Sequence, residues 1–177
     1  MKRIVYSRMS SKKIRINISP TVPFREILKV LNNIHLPDYD GVNSDNIKYA
    51  VMELLNNSLR AHREKRVNKA IITTFNTFDS HLLINIKDYG GGFDTGKLPY
   101  DLEKDHREIN PQSSSFIEYR ENNDYLRFGM GLLLAKRTFA YFDLSFFDNY
   151  EKQVKWESGE AAGTIIRLST GAKNYGD

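Results

Sequence analysis

The stretch IKDYGGGF, Ile86–Phe93, decides the expected fold because it changes from strand-like alternation to three consecutive glycines. Alternating apolar residues predict a strand, and glycines at its end permit a sharp turn or the close approach of another group. The carboxylate of Asp88 is thereby placed at the C-terminal end of a strand. An Asp in that position can cap its own turn, or it can accept a hydrogen bond from the amino group of a bound base such as adenine. The residues alone leave both interpretations open.

Regular spacing of apolar residues predicts the elements that precede this loop. Alternation with period two indicates strands, and apolar residues at i, i+3, i+4 and i+7 indicate helices with one face on a core. The predicted elements are a strand at Lys12–Ile18, a short helix at Phe24–Leu31, a long helix at about Asp45–Arg66 capped by Ser44 or Asp45, and a β-hairpin formed by Lys69–Phe78 and His81–Asp88.

A long segment of weak periodicity follows the glycines. It covers approximately residues 94–128 and contains mixed charges, a serine triplet and two prolines. Loops of this length inside a compact domain are usually lids, binding loops or disordered, so we expect a lid that orders around a ligand. Beyond it the sequence predicts a helix from Gly131 through the run LLLAKRTFAYF, and two closing strands at 142–149 and 163–170 that are joined by a polar connection.

Composition limits the classes of protein to which the chain can belong. With 177 residues, 40% hydrophobic and 27% charged, it is typical of one folded domain, and we expect a single domain over residues 1–177. The lack of cysteine excludes disulfides, thiolate metal sites and cysteine nucleophiles, and it favours the cytoplasm. No apolar run is long enough to span a membrane. The basic stretch Arg60–Lys69 is interpreted as the solvated end of a helix, so we expect no nucleic-acid partner.

Three polar residues of the long helix share one face. At about 100° per residue, Glu53, Asn57 and Arg60 lie on one side, roughly opposite the apolar stripe. A solvated face would explain two of them, but adjacent asparagines are poor helix formers and suggest a local reason. An Asn oxygen suits Mg²⁺, a carboxylate one turn earlier can accept a proton, and an arginine one turn later can offset charge on phosphates. The face therefore indicates phosphate chemistry, with ordinary polar surface as the alternative.

The segment GMG, Gly129–Gly131, lies where the last helix begins. It reads as a loop-to-helix junction, and equally as backbone amides that open toward phosphate at a helix N-terminus, where the helix dipole also favours anions. The two interpretations are compatible.

Four motifs, taken together, carry a family resemblance. The order E-x-x-x-N, D-x-G-x-G-F, G-x-G-L and G-T, found here in ELLNNS, DYGGGF, GMGLLLAKR and at Gly163–Thr164, resembles the GHKL ATPase superfamily of gyrase, mismatch-repair ATPases and histidine kinases. The resemblance extends over roughly Ser44–Leu168. It implies an α/β (α+β) two-layer sandwich in which helices cover one face of a mixed sheet, with ATP and Mg²⁺ bound between the Asn57 helix and a mobile lid.

The resemblance also implies roles for individual residues. Asn57 would bind Mg²⁺, Glu53 would act as the base, and Asp88 would read adenine. The remaining residues implied at the nucleotide are Gly90 and Gly92 in the loop after Asp88, Gly129, Met130 and Gly131 at the phosphates, Thr164 near the purine, and Arg60 as a basic residue.

Within the superfamily, the pattern is most similar to the small anti-sigma factor serine kinases, in AVMELLNN, DYGGGFDTGKLP and RFGMGLLLAKR. This implies a protein kinase that binds a sigma-factor-like or antagonist-like partner, or another response-pathway protein. Kinases of this type are often dimers, which leaves a homodimer open. The sequence departs from the pattern of these kinases in two places, the long predicted lid and the insert Tyr150–Ala162, which carries the only tryptophan, Trp156.

Two other functions stay open. The chain could be a detached histidine-kinase catalytic domain that acts on a histidine of another protein, or a module that binds ATP and a partner without chemistry. The box-like HREINP, His106–Pro111, has an arginine where an acceptor motif needs a glutamate and is treated as coincidence.

Overall fold

A seven-stranded sheet forms one layer of the molecule. The structure is a computed structural model that describes residues 4–10, 12–39, 41–122 and 130–171. The strands lie in the order β1-β2-β3-β4-β7-β5-β6. Their bounds are Ile4–Ser10 for β1, Lys13–Ile18 for β2, Ile71–Thr77 for β3, Leu82–Asp88 for β4, Tyr141–Phe147 for β5, Gln153–Val154 for β6 and Gly163–Ser169 for β7.

Helices form the second layer. Within the described residues they are α1 at Phe24–Asn33, α2 at Ser44–Glu64, α3 at Ser114–Asn122 and α4 at Met130–Thr138. One core joins the layers, because buried side chains of the strands and of α1, α2 and α4 belong to a single apolar cluster. The expected two-layer α+β sandwich is therefore confirmed. We expected a mixed sheet, whereas the six described strand pairings are all antiparallel. Three of these pairings, β1–β2, β3–β4 and β5–β6, are hairpins, which are antiparallel by construction.

Helix α2 is the central element of the helical layer. Ile47, Ala50 and Leu54 recur on the face that it buries, and full burial of an isoleucine or leucine side chain contributes roughly 1.5–3 kcal/mol. The helix begins after Asn43, whose side chain accepts a hydrogen bond from the backbone N–H of Asn46 at 2.8 Å. The sequence suggested Ser44 or Asp45 as the cap, whereas the cap in the structure is Asn43.

Four elements differ from the sequence-based prediction. The short strand β6 lies inside the connection that was expected to be polar and without a strand. Strand β1 was missed because it is an edge strand with mostly exposed side chains, so no alternation marks it. Helix α3 lies within the segment expected to be an irregular loop, and its apolar periodicity is weak because only Phe116 is buried. Helix α4 ends at Thr138. The apolar run that seemed to prolong it is instead the start of half-buried β5.

Within the described ranges, none of the helices combines the length and the apolar character that a bilayer crossing requires.

Candidate functional site

A cavity of about 510 Å³ opens between α2, the end of β4 and the segment that follows it. This volume lies within the usual range for small-molecule sites. Its wall includes Asp88 from the sheet and Asn57 from α2, so the two ends of the predicted site face one cavity. Six of the predicted site residues line it, namely Asn57, Arg60, Asp88, Gly90, Gly92 and Thr164.

Asp88 lies at the floor of this cavity and is held by three donors. Its Oδ2 accepts hydrogen bonds from the hydroxyls of Ser58 at 2.9 Å and Thr164 at 2.5 Å. Its Oδ1 accepts the backbone N–H of Gly90 at 2.8 Å, which is the turn-capping bond that an Asp–x–Gly sequence favours. The carboxylate is only 5% exposed. It therefore both caps the turn and lines the cavity, so the two sequence interpretations are compatible.

A buried histidine supports the backbone beside Asp88. His62 is fully buried on α2, and its Nε2 accepts the backbone N–H of Tyr89 at 2.8 Å. The same nitrogen lies 3.9 Å from Asp88 Oδ1. Burial lowers the pKa of His62 below its usual value, while nearby Asp88 and the backbone of Lys69 and Val67 act in the opposite direction. Only a neutral imidazole can accept at Nε2, so the geometry requires the uncharged ring.

Two glycines of the loop after β4 and one glycine of β7 lie so close to neighbouring groups that a side chain would not fit. A Cβ on Gly90 would lie 2.5 Å from Ala61 Cβ of α2, and one on Gly92 would lie 2.7 Å from the Phe146 ring. Gly92 also has φ of +71°, which favours glycine. On β7, a Cβ on Gly163 would lie 2.1 Å from the carbonyl oxygen of Asp88. The absence of side chains lets the loop and two strands close around the floor of the cavity.

At the other end of the cavity, α2 and α4 nearly touch. A Cβ on Gly131 would lie 3.1 Å from Asn57 Nδ2 and 3.2 Å from Glu53 Cβ. Gly131 is buried, and neither it nor Glu53 is part of the cavity wall. Gly131 allows the first turn of α4 to pack on the face of α2 that carries Glu53 and Asn57, and its place at the phosphates stays a prediction.

Arg60 and the segment after the glycines complete the wall. Arg60 lies in the cavity with a side-chain exposure of 34%, and its Nε is 3.7 Å from Glu64 Oε1. Tyr119 of α3 faces it across the cavity wall, and burial raises the pKa of this phenol. The helix inside the predicted lid therefore closes one side of the site.

The segment predicted to be a lid is attached to α4. Lys136 donates to the carbonyl of Leu102 at 2.6 Å, and Arg137 donates to the carbonyl of Ile109 at 3.0 Å. A small apolar cluster of Ile109, Phe116 and Leu133 joins the two, and Met130 packs against it. Met130 thus contacts this cluster and does not line the cavity, and Gly129, also predicted at the phosphates, lies outside the described residues.

A comparison with models of known protein families gives a match that agrees with this geometry. A family model described as histidine kinase-like ATPase domain matches residues 22–169, which is most of the chain. The chain belongs to this family. ATP binding follows from that membership, and the antiparallel sheet with its helical layer is consistent with it. No curated protein matches the sequence significantly.

The residues at one end of this ATPase domain's cavity fit Mg²⁺. Mg²⁺ usually has only one or two protein ligands, and substrate phosphates and water supply the others. Asn57, whose side chain carries an amide oxygen, lines the cavity, and Glu53 supplies negative charge one turn earlier on the same helix. Within the described part of the chain no group of three His, Asp or Glu converges, as an all-protein metal cage would require.

Sequence reasoning missed two partners of the predicted carboxylate. Ser58 was assigned to the apolar stripe of the long helix, and His62 was not singled out at all. Both are buried polar residues on the face of α2 that packs on the sheet. Their periodicity is that of core residues, so the available signal was chemical: a buried hydroxyl and a buried imidazole on an otherwise apolar stripe need partners.

Proposed function

We propose that this domain is an ATP-dependent protein kinase that resembles the anti-sigma factor serine kinases and transfers the γ-phosphoryl group to a hydroxyl of a partner protein. The observation that carries this proposal is one cavity with Asp88 at its floor and Asn57 on its wall. A site for MgATP needs a group that recognises the base and a group that can bind the metal ion, and Asp88 and Asn57 supply the two in one cavity.

The floor of the cavity favours adenine. An ionised carboxylate has about four positions at which it can accept hydrogen bonds. In Asp88, Ser58 and Thr164 occupy two of them and Gly90 a third. This leaves about one position on Oδ1, which suits the exocyclic amino group of adenine. Guanine presents a carbonyl oxygen at the equivalent position, which a carboxylate repels, so ATP is preferred over GTP.

The other end of the cavity suits the phosphates. We assign Asn57 as the Mg²⁺ ligand, and the bound ion would offset charge on the β- and γ-phosphates. Arg60 reaches the cavity from the next turn of α2 and supplies a further positive charge. We propose residues 94–128 as the lid that closes over this end, because α3 already contributes Tyr119 to the cavity wall.

The transfer step requires a base next to the acceptor. The bond between the γ-phosphorus and the oxygen that bridges to ADP breaks, and a bond from the acceptor hydroxyl oxygen to that phosphorus forms. Glu53 takes the proton of the hydroxyl, and ADP leaves. Catalysis of this kind is largely positional and electrostatic. Glu53 lies one helical turn before Asn57 on α2, just outside the present cavity wall and next to Gly131.

The partner would be a sigma-factor-like or antagonist-like protein, or another response-pathway protein, and a homodimer is compatible with the proposal. Capture of partners from the native cell, followed by incubation with labelled ATP and Mg²⁺, tests for transfer. Glu53→Ala should abolish labelling of the partner while ATP affinity changes less than threefold. Asp88→Asn should weaken ATP binding itself. Glu160→Ala, which changes an exposed carboxylate outside the cavity wall and outside the proposed lid, is the matched control and should label normally.

Acid treatment of the labelled partner identifies the acceptor. Label that survives acid indicates phosphoserine or phosphothreonine, as proposed. Loss in acid would indicate phosphohistidine and a histidine-kinase domain acting in trans. Tight ATP binding with no labelled partner would favour a nucleotide-sensitive binding module, and normal labelling by Glu53→Ala would refute the assignment of the base.

A further inference from the structure

Trp156 belongs to a connection that is tied to the sheet at both ends. It begins a short 3₁₀ turn, Trp156–Ser158, between β6 and β7. Before it, Val154 of β6 pairs with Phe146 of β5. After it, Ala162 donates its N–H to the carbonyl of Phe147 at 2.7 Å, and its own carbonyl accepts the N–H of Gly91 at 3.2 Å. The connection is therefore fixed against the glycine loop.

The indole lies at the floor end of the nucleotide cavity. Trp156 lines that cavity together with Asp88 and Thr164. Its ring centroid is 5.7 Å from that of Phe146, with the two planes tilted by 49°. A Cβ on Gly92 would lie 3.2 Å from Cζ3 of the indole. The glycine thus leaves the space through which the indole reaches the cavity.

We infer that Trp156 forms an aromatic wall of the base pocket, contacts the purine ring of the bound nucleotide and raises nucleotide affinity. This inference rests on the proposed binding of ATP. Base stacking on an aromatic side chain depends on the π face that every base has, so it strengthens binding without choosing among bases. Asp88 then discriminates between bases, while Trp156 contributes affinity.

Intrinsic fluorescence gives a direct test, because Trp156 is the only tryptophan of the chain. The environment of an indole changes when a base packs against it, and its emission changes accordingly. Adenosine and ATP should both change the emission. Inorganic tripolyphosphate, which has the phosphate chain but no base, should leave it unchanged.

Variants at this position give the second test. Trp156→Ala should weaken ATP binding about tenfold, within the range known for base–aromatic contacts, as measured by equilibrium dialysis with labelled ATP. Trp156→Phe retains an aromatic face and should stay within about threefold of the native affinity. Tyr150→Ala changes an aromatic residue of the β5–β6 turn that is 85% exposed and lies outside the cavity wall, and it should bind ATP normally.

The outcomes separate this inference from the proposed function. If dialysis shows tight ATP binding in the native protein and Trp156→Ala binds equally well, the aromatic wall is refuted and the kinase proposal stands. If Trp156→Ala does not fold, native emission that is unchanged by saturating adenosine or ATP refutes the wall. If dialysis shows no ATP binding to the native protein, both proposals fail.

Discussion

The two ends of the cavity are built differently. At the base end, Asp88 is buried and receives hydrogen bonds from three different elements, and His62 holds the adjacent backbone. At the phosphate end, Asn57 and Arg60 are only partly buried, and Glu53 lies outside the cavity wall. The proposed base end is thus already ordered by contacts within the protein, whereas the proposed phosphate end would be completed by the predicted lid and by the nucleotide itself.

This difference separates recognition from chemistry. A preformed carboxylate with fixed donors selects the base at little entropic cost, because its groups are already ordered. In the proposed function, a partly open phosphate end would admit an acceptor from a second protein and would close by movement of the predicted lid, which is a common way to exclude water during transfer. Substitutions at the base end should therefore change stability and affinity together, and those at the phosphate end should mainly change affinity or rate.

Gly163→Ala, at the base end, should have the largest effect on the free energy of unfolding. The added Cβ would lie 2.1 Å from the carbonyl oxygen of Asp88 and 2.6 Å from the Phe147 ring, so two strands must separate. We expect a loss of about 3 kcal/mol in the free energy of unfolding, measured by urea denaturation. The control is Gly159→Ala, where φ is +72° but no atom lies within 4 Å, and the loss should be about 1 kcal/mol. Equal losses would show that the strands tolerate the methyl group.

Ser58→Ala should weaken ATP binding about tenfold and lower the free energy of unfolding by roughly 2 kcal/mol, because it removes a hydroxyl that donates to a buried carboxylate. Calorimetric titration with ATP and urea denaturation measure the two effects. Asn56→Ala, on the exposed side of the same helix, is the control and should change neither by much. A Ser58→Ala variant with native affinity would contradict the claim that the base end is preformed by its donors.

His62 should make stability depend on pH. Because its pKa is lowered in the folded state, the unfolded chain binds the proton more readily. The contribution of His62 is fully present above the unfolded pKa of about 6.5 and is lost as the pH falls toward the folded pKa, by up to about 1.4 kcal/mol per pH unit. Urea denaturation between pH 7.5 and pH 5 of the native protein and of His62→Gln measures this loss.

His62→Gln keeps an acceptor for the Tyr89 N–H but cannot take a proton in this range, so its stability should fall less steeply with acid. His35→Gln changes an exposed histidine and should retain the native slope. If both variants retain the native slope, His62 does not control the acid sensitivity of the base end.

Arg60→Gln should have the smallest effect. The side chain reaches the cavity but is 34% exposed, so solvent and salt screen its charge. We expect ATP affinity to fall about threefold in dilute buffer and by less at high salt, as measured by calorimetric titration at two ionic strengths. Lys48→Gln, on the same helix but away from the cavity, should not change the affinity. If Arg60→Gln lowers ATP affinity equally at high salt, Arg60 makes a direct, buried contact with phosphate.

Local patterns were enough to predict the framework of the base end. The alternation of buried and partly exposed residues along Leu82–Asp88 is complete, so both the strand and the position of Asp88 at its end follow from sequence. The apolar stripe of α2 likewise fixes which side of that helix meets the sheet. These features depend on residues that are close in the chain.

The supports of Asp88 depend on residues that are distant in the chain, and they could not be predicted. Ser58 is separated from Asp88 by 30 positions and Thr164 by 76 positions. The contacts of Gly90 and Gly131 with α2 likewise exist only once the chain is folded. Periodicity identifies a face of a helix but not the atom that faces it, and for this reason Trp156 could be named only as part of an unexplained insert.

Helix α2 carries Glu53 and Asn57 for one end of the cavity and Ser58 and His62 for the other. With a rise of 1.5 Å per residue, it sets the separation between its first and last functional side chains at roughly 13 Å. An inserted or deleted residue within this interval would turn one set by about 100° away from the other. These four side chains keep their present directions relative to one another only while the helical stretch from Glu53 to His62 keeps its length.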